Sequence, residues 1–260
     1  SRAKTDRDGA RVRLADGRVL HAKLLVAADS RFSDTRRRLG ISARHLDFGK
    51  TMMVCRMRHA CSHENVATEW FGDRQTLALL PLGESQSSVV LTLPHVQIEK
   101  LKGLPSAEFE RDIERRFMNR LGAMHLASER FLYPLVAVYP DRLVTTHCAT
   151  IGDAAVGMHP VTAHGFNLGL MSADALARGI AREYANRRQH ADPGSDSLLR
   201  EYEATHRRAS RPLFLATNAI VRLYTDDSPP ARLLRGALLG IARRAPLVSN
   251  RLAKALMQTG

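Results

Sequence analysis

The stretch Ile151–Leu170 holds the residues of this chain whose types and spacing best suit ligand chemistry. Gly152-Asp153 follows a short apolar run, and an acid at the end of a strand can accept hydrogen bonds from a ligand hydroxyl. Gly165 lets a ligand approach the backbone closely, because glycine has no Cβ. The helix that opens there offers free N–H groups and the positive end of its dipole, which favour electron-rich or anionic ligand atoms.

A second polar turn lies near the start of the chain. The apolar run 22–28 predicts a buried strand, and it leads directly into Asp29-Ser30-Arg31. A helix should begin just after these residues, with Ser33 as its N-cap.

The elements that must position these turns follow from hydrophobic periodicity. Alternating residues around Asp16-Gly17 predict a hairpin of strands 10–14 and 18–20. An antiparallel sheet is predicted from the strands 50–59, 67–71, 76–80 and 87–93. Two further strands are predicted at 129–139 and 147–151. The predicted helices are 98–103, 106–121 with Ser106 as its cap, 167–189, 198–224 with a kink or break at Pro212, one after Ser228, and one through 248–256.

The ordered motifs of the first stretch resemble those of the flavin aromatic hydroxylases, the family typified by p-hydroxybenzoate hydroxylase. Within that family they are most similar to the ubiquinone-biosynthesis hydroxylases. The matching motifs are Gly152-Asp153-Ala154-Ala155, Met158-His159-Pro160 and Gly165-Phe166-Asn167-Leu168-Gly169. Where the family turn commonly reads Gly-Gln-Gly, this chain has Ala163-His164-Gly165.

The turn at Asp29 resembles a second motif of the same family, which is associated with both FAD and NAD(P)H binding. Ser30 stands where the family usually has glycine. The resemblance implies that Asp153 contacts the ribitol or pyrophosphate region of FAD and that the helix start faces the pyrimidine edge of the flavin. The implied cofactor-binding residues are Asp29, Arg31, Gly152, Asp153, Pro160, Gly165, Phe166, Asn167 and Leu168.

The implied activity is an FAD- and NAD(P)H-dependent monooxygenation of an aromatic ring through a flavin hydroperoxide. The expected substrate is a polyprenyl phenol or quinol of ubiquinone biosynthesis, and His164 is the candidate for helping to deprotonate a phenol. Two alternatives stay open at this point. One is a related flavoprotein hydroxylase that acts on a soluble aromatic, and the other is a non-catalytic basic scaffold protein.

The resemblance implies an α/β fold with a partial FAD-binding parallel sheet, an antiparallel substrate-domain sheet and C-terminal helices. It divides the chain into a remnant of the FAD-binding domain (1–45), a substrate domain (46–140), a return to the FAD-binding domain (141–190) and a C-terminal helical region (191–260). The Gly-x-Gly-x-x-Gly segment with which such proteins open is not present. We therefore expect a truncated chain that by itself binds FAD weakly or not at all.

The charge of the chain is strongly basic, with 39 Lys and Arg against 26 Asp and Glu, a net charge of +13. From residue 200 onward there are 11 basic and 4 acidic residues, a difference of 11 − 4 = +7. Basic helices can cover the substrate domain, rest on an anionic membrane surface or bind nucleic acid. Nucleic acid ranks last, because few aromatic residues lie among the basic ones.

The expected partners are an aromatic lipid-like substrate, O2, an anionic membrane touched peripherally and a ubiquinone-biosynthesis complex. No apolar run approaches the roughly 18 residues of a membrane span. The expected location is the cytoplasm, including the inner face of the membrane. The three cysteines fit a reduced compartment.

Two further residue sets could have a functional role. Cys55, His59, Cys61 and His63 are metal-ligand types, but their spacing matches no standard zinc site, so no metal is predicted. Trp70, Phe71 and Leu79 could line the substrate pocket, although each is better explained as sheet core.

Overall fold

The computed structural model describes residues 2–72, 75–160 and 164–225. These residues form two compact units. The first unit combines residues 2–46 with the chain from 136 onward, and the second comprises 47–135. Assigning the first unit to the flavin and the second to the substrate stays a prediction.

The first unit contains two small sheets. Strands β1 (Arg2–Asp6), β2 (Gly9–Arg13) and β3 (Val19–Ala22) form an antiparallel sheet in that order. The predicted hairpin is confirmed by the pairing of β2 with β3. The second sheet has the order β11 (Val144–Thr145), β12 (Cys148–Thr150) and β4 (Leu25–Ala27), and β12 runs parallel to β4.

Strand β4 is shorter and less buried than its apolar sequence predicted. Ala27 is buried, but Val26 is 40% exposed. The physical reason is its position, because among the described residues β4 is an edge strand that pairs on one side only. The prediction of a buried strand over 22–28 was therefore wrong in extent and in burial.

The helices of the first unit are α1 (Asp34–Arg38), α4 (Gly165–Arg187) and α5 (Asp196–Thr225). Single 3₁₀ turns lie at Gly152–Ala154 and Arg188–His190. A kink or break was predicted at Pro212, and helix α5 continues through this residue without a break. The helices predicted after Ser228 and through 248–256 lie outside the described residues.

The second unit is built on a long antiparallel sheet. Its strands are β5 (Ala43–His59), β6 (Thr68–Gly72), β7 (Gln75–Gly83), β8 (Gln86–Pro94), β9 (Met124–Leu126) and β10 (Phe131–Pro140). The strand order is β10-β5-β8-β7-β6, and β9 pairs with β5. Buried residues alternate strictly along β8, as expected for a sheet with one face on a core.

Helices α2 (His95–Gly103) and α3 (Ser106–Arg116) accompany this sheet. Helix α3 ends earlier than predicted because Met118 and Asn119 take left-handed backbone conformations, with φ of 53° and 56°. Ser106 is not its cap: Pro105 holds the N-cap position and makes no side-chain capping bond. The predicted apolar face of this helix is confirmed, since Phe109, Ile113 and Phe117 are all buried.

The aromatic and aliphatic candidates of the sheet belong mainly to its core. Leu79 is 4% exposed and lies within the core of the second unit. Trp70 packs edge-on against Phe117 with ring centroids 5.4 Å apart, and the guanidinium of Arg120 lies over its ring. The side chain of Phe71 lies outside the described part of the structure.

Helix α5 buries an ionisable residue, His206, in the first unit. The imidazole is 2% exposed and stacks on Tyr202 with an interplanar angle of 3°. Burial lowers the pKa of His206 to about 4. The unfolded chain therefore takes up a proton at higher pH than the folded one does, and folding holds this imidazole neutral.

We predict that His206 makes the protein less stable in acid. Between the ordinary histidine pKa of about 6.5 and the folded value, the unfolded state binds the extra proton, so stability falls as pH falls through this window. The shift corresponds to about 3 kcal/mol at the acid end. We measure the free energy of unfolding in urea at pH 7 and at pH 4. The loss of stability between these pH values should be about 3 kcal/mol smaller in His206→Gln than in wild type. His125→Gln, at an exposed site, is the control. Equal pH dependence in wild type and His206→Gln would contradict the prediction.

Candidate functional site

Two polar turns meet at one edge of the parallel strand pair. The turn at 29–36 follows β4, and the turn at 152–155 follows β12. The strands run parallel in register, and Ile151 N–H donates to the Ala27 carbonyl at 2.9 Å just before the turns begin. Because the carboxyl ends of parallel strands share an edge of the sheet, both sequence motifs emerge on the same side.

Within the first turn, Asp29 holds the start of α1. One carboxylate oxygen accepts from the Ser33 hydroxyl at 2.5 Å, and the other accepts from Thr35 N–H at 3.0 Å. Burial alone raises the pKa of Asp29, but these hydrogen bonds outweigh it, and the net effect is a lowered pKa. Ser33 Oγ also accepts from Arg36 N–H, which confirms Ser33 as the N-cap. Both oxygens of Asp29 thus serve the geometry of its own turn.

Arg31 joins the first turn to the second. Its Nε and Nη2 donate to Oδ2 of Asp153 at 3.0 and 2.7 Å. Its Nη1 donates to the carbonyls of Val136 at 3.0 Å and Met158 at 3.3 Å. The structure therefore brings together two of the predicted cofactor residues, which are far apart in sequence, as a direct ion pair.

Arg36 makes a second, more buried link. It is 3% exposed, and its guanidinium donates to the carbonyls of Ala154 at 2.8 Å and Arg31 at 3.0 Å. Desolvation lowers the pKa of Arg36, while the charge of nearby Asp29 raises it. Because a guanidinium stays protonated even when buried, the carbonyls of both turns are held by a fixed positive charge.

The second turn is fastened to α4 through Ser172. The N–H of Gly152 donates to Ser172 Oγ at 2.9 Å, and Ser172 Oγ donates to the Gly169 carbonyl at 2.6 Å. Gly152 adopts a φ of 60°, and a Cβ at Gly169 would lie 3.3 Å from the Gly152 Cα. Small residues at both positions thus let the turn and the helix approach closely.

The start of α4 carries exposed side chains and a glycine. A Cβ at Gly165 would meet no atom within 4 Å, and His164 makes no side-chain capping bond to the helix. The first turn of any α-helix leaves N–H groups without intrahelical partners. Phe166 is 78% exposed and Asn167 is exposed, whereas Leu168 is buried in the core. The N–H of Leu168 donates to the His164 carbonyl at 2.9 Å, so neither its side chain nor its backbone donor is available to a ligand.

Two other predicted residues flank this opening. His164 is 7% exposed and precedes Gly165, so its ring is largely enclosed by protein. Pro160 is exposed at the end of the described segment. Residues 161–163 of the connecting turn, including Ala163, lie outside the described residues.

This set of groups fits the phosphorylated sugar-alcohol part of FAD. Asp153 offers a carboxylate oxygen, Gly152 has open space on its Cβ side, and the α4 start presents N–H groups and a positive dipole end. No acidic residue lies in the first turn of α4, so no negative charge there opposes an anionic ligand.

Sequence reasoning missed several residues that build the site. Ser172 and Gly157 carry no motif signal of their own in a single sequence, and Arg36 was not named among the cofactor-binding residues. Gly157 bridges to Val138, and a Cβ there would lie 2.7 Å from the Arg31 Cβ, so a glycine makes room for Arg31. Gly169 was already part of the matching motif Gly165-Phe166-Asn167-Leu168-Gly169, although it was not named as a cofactor-binding residue.

The Cys/His group at the end of β5 and just after it has structural partners. His59 bonds the Cys61 carbonyl at 2.7 Å and the Ser87 hydroxyl at 3.0 Å, and His63 bonds the Gly83 carbonyl and Asn65 N–H. Burial raises the pKa of the Cys55 thiol to about 12. Within the described ranges, no three Cys, His, Asp or Glu side chains converge as a metal site. Nor is any helix of the described part long and apolar enough to cross a membrane.

Comparison with known proteins gives the family of the chain. Residues 2–214 match a family whose description is "FAD binding domain". The chain is 44% identical over 253 residues to the ubiquinone hydroxylase UbiM of Neisseria meningitidis, an alignment that covers 97% of this chain and 54% of that protein. It is 38% identical to the ubiquinone hydroxylase UbiL of Rhodospirillum rubrum, covering 94% of this chain and 56% of that protein. The chain thus spans about half the length of these relatives.

A solved structure supports the fold. The complex of P. aeruginosa PqsL with 2-aminobenzoylacetate superposes with a TM-score of 0.70 at 24% identity, covering 87% of this chain and 63% of that one. At this identity the likeness establishes the fold alone. The α/β architecture with parallel and antiparallel sheets is therefore that of a solved protein.

We predict that Ser30→Gly stabilises the protein. Ser30 has a φ of 93°, a conformation that only glycine adopts without strain. The substitution should raise the free energy of unfolding by about 1 kcal/mol, because relief of backbone strain exceeds the entropy cost of glycine. Urea denaturation measures this change.

Ser30→Ala is the matched control. It also removes the Ser30 Oγ that accepts from Phe32 N–H at 3.3 Å, but it keeps the strained backbone. Its stability should stay at or below that of wild type. If Ser30→Ala is as stable as Ser30→Gly, strain at this position is not the cause.

Proposed function

We propose that this chain, which belongs to the FAD binding domain family, is part of a flavin-dependent monooxygenase that hydroxylates an aromatic ring. The observation that carries the proposal is a family match that runs from residue 2 to 214 and so includes both polar turns of the site. The relatives named as ubiquinone hydroxylases favour a polyprenyl phenol or quinol of ubiquinone biosynthesis as substrate.

FAD is the cofactor of the family description, and the residues of the site have distinct roles toward it. Asp153 would accept a hydrogen bond from a hydroxyl of the ribitol chain. Gly152 and Gly165 would let backbone approach the cofactor, and the start of α4 would hold its electron-rich pyrimidine edge. When bound, FAD supplies the redox chemistry, with NAD(P)H as reductant and O2 as co-substrate. The protein supplies position, charge and exclusion of water.

The residues named from sequence divide into direct and indirect contributors in this proposal. Phe166 and Asn167 are exposed beside Gly165 and are available to a ligand, as is Pro160. Asp29 contributes through the turn that it stabilises, and Leu168 through the packing of α4 in the core.

The proposed partners are an aromatic lipid-like substrate, O2, an anionic membrane surface and a ubiquinone-biosynthesis complex. The basic residues support a peripheral membrane contact, because α5 exposes Arg208, Arg211 and Leu215 on its surface. Basic amphipathic helices bind anionic lipid through such a combination of charge and apolar area. Because a polyprenyl tail lies in the bilayer, the enzyme would bind such a substrate at the membrane surface.

We predict that the protein expressed from its complete reading frame is yellow. An absorption spectrum should show oxidised flavin that bleaches with NAD(P)H, and faster when a phenolic substrate is present. Tight partition into anionic liposomes would favour a polyprenyl substrate over a soluble aromatic. A colourless, folded protein that cannot be reconstituted with FAD would refute the proposal and favour a basic scaffold.

We predict that His164 assists deprotonation of the phenol and is not needed for flavin reduction. In the complete protein, His164→Ala should leave NAD(P)H-driven reduction of the flavin near the wild-type rate but form less hydroxylated product per NAD(P)H consumed. A general base contributes about 10²-fold or more to such a step. His125→Ala, at an exposed site in the second unit, is the control. Unchanged coupling of NAD(P)H use to product would exclude this role.

A further inference from the structure

We propose that Arg31 is a positioning residue, which acts on FAD through Asp153 rather than by contacting FAD itself. The inference rests on the proposed function and deepens it. Arg31 orients the carboxylate of Asp153, and Asp153 in turn binds a hydroxyl group of the ribitol part of FAD.

The geometry of the ion pair assigns different tasks to the carboxylate oxygens of Asp153. Both contacts from Arg31, through Nε and Nη2, go to Oδ2. Oδ1 makes no hydrogen bond with the described residues, and the side chain of Asp153 is 37% exposed. One oxygen is thus held by Arg31, and we assign the other to the ligand as a hydrogen-bond acceptor. A hydroxyl group is the ligand chemistry that matches such an acceptor.

The donors of Arg31 are largely used within the protein. Besides the two bonds to Asp153, Nη1 donates to the carbonyls of Val136 and Met158. Most of the N–H donors of the guanidinium are therefore occupied before any ligand arrives. The Arg31 side chain is 24% exposed, less than that of Asp153. Direct recognition of FAD by Arg31 is the weaker interpretation of this arrangement.

The surroundings hold Arg31 in this pose. Its contacts span both ends of the segment 153–158, and Gly157 between them pairs with Val138 through N···O distances of 2.7 and 3.0 Å. A Cβ at Gly157 would come within 2.7 Å of the Arg31 Cβ, so even alanine at 157 would displace the arginine. Residues 153–158 therefore bind Arg31 at both ends and leave room for its side chain at Gly157.

Charge gives the second reason for the pair. An isolated carboxylate beside a diphosphate would repel it, whereas a paired Arg–Asp group carries no net charge. Arg31 thus lets an acidic residue serve as hydroxyl acceptor next to an anionic ligand. Lysine cannot replace it fully, because an ammonium has three donors on one nitrogen, whereas Arg31 makes four hydrogen bonds from three nitrogens.

A double-mutant cycle on the complete protein tests the inference. FAD affinity is measured by titration of flavin fluorescence for wild type, Arg31→Met, Asp153→Ala and the double variant. Arg31→Met should weaken FAD binding about 10-fold or more when Asp153 is present, and less than about 2-fold in the Asp153→Ala background. Arg31→Lys should restore only part of the loss. Arg178→Met, which breaks the exposed Arg178–Asp174 pair on α4, should bind FAD like wild type.

The outcomes separate this inference from the proposed function. Equal losses from Arg31→Met in both backgrounds would show that Arg31 acts independently of Asp153, by direct contact or by general stability, and would overturn the inference. FAD binding unchanged in Arg31→Met would overturn it as well. Thermal unfolding of the FAD-free variants shows how much of any loss is due to unfolding. A wild-type protein that binds no FAD would overturn the proposed function together with the inference.

Discussion

The site depends on two guanidinium groups that join turns more than a hundred positions apart in the chain. Arg36 is buried and holds the carbonyl of Ala154, and Arg31 holds Asp153 and Met158. Breaking a buried charged contact costs several kcal/mol, because the remaining polar groups lose their partners. The strand pair β4–β12 brings the turns to one edge of a sheet, but three residues per strand fix little beyond that edge. The arginines fix how the turns face each other.

Glycine makes this close association sterically possible. Gly157 leaves room for the stem of Arg31, and Gly169 lets α4 approach Gly152. Gly165 differs from Gly157 in what surrounds it. A Cβ at Gly165 would meet no atom within 4 Å, whereas a Cβ at Gly157 would clash with Arg31. A glycine-rich motif therefore combines packing and ligand access, and only the structure separates the two.

The sequence was sufficient to predict the existence of both turns, the Ser33 cap and the strand–turn–helix order, because these depend on local residues and periodicity. It was not sufficient to predict the Arg31–Asp153 pair, because nothing local couples residues separated by that many positions. The exposure of Val26 was missed for a similar reason, since burial of a strand depends on which neighbours pair with it. Pro212 was expected to kink or break α5. The helix continues through it without a break, because packing of buried residues such as Leu199 and Val221 on either side favours the helix.

The way arginine is used here also bears on the basic character of the chain. Arg130 donates to the carbonyls of Leu101 and Leu104 while lying over the Phe109 ring. Arg207 bonds the carbonyl of Pro140 in the same manner, and its guanidinium lies over Tyr139. In each case the guanidinium satisfies carbonyls where an element ends, a task that its fork of donors suits better than the single ammonium of lysine. Part of the positive charge is thus required by the fold itself, and a polyanionic partner is not needed to account for it. The charge argument for a membrane contact therefore rests on exposed arginines such as Arg208 and Arg211 of α5, rather than on the net charge of the whole chain.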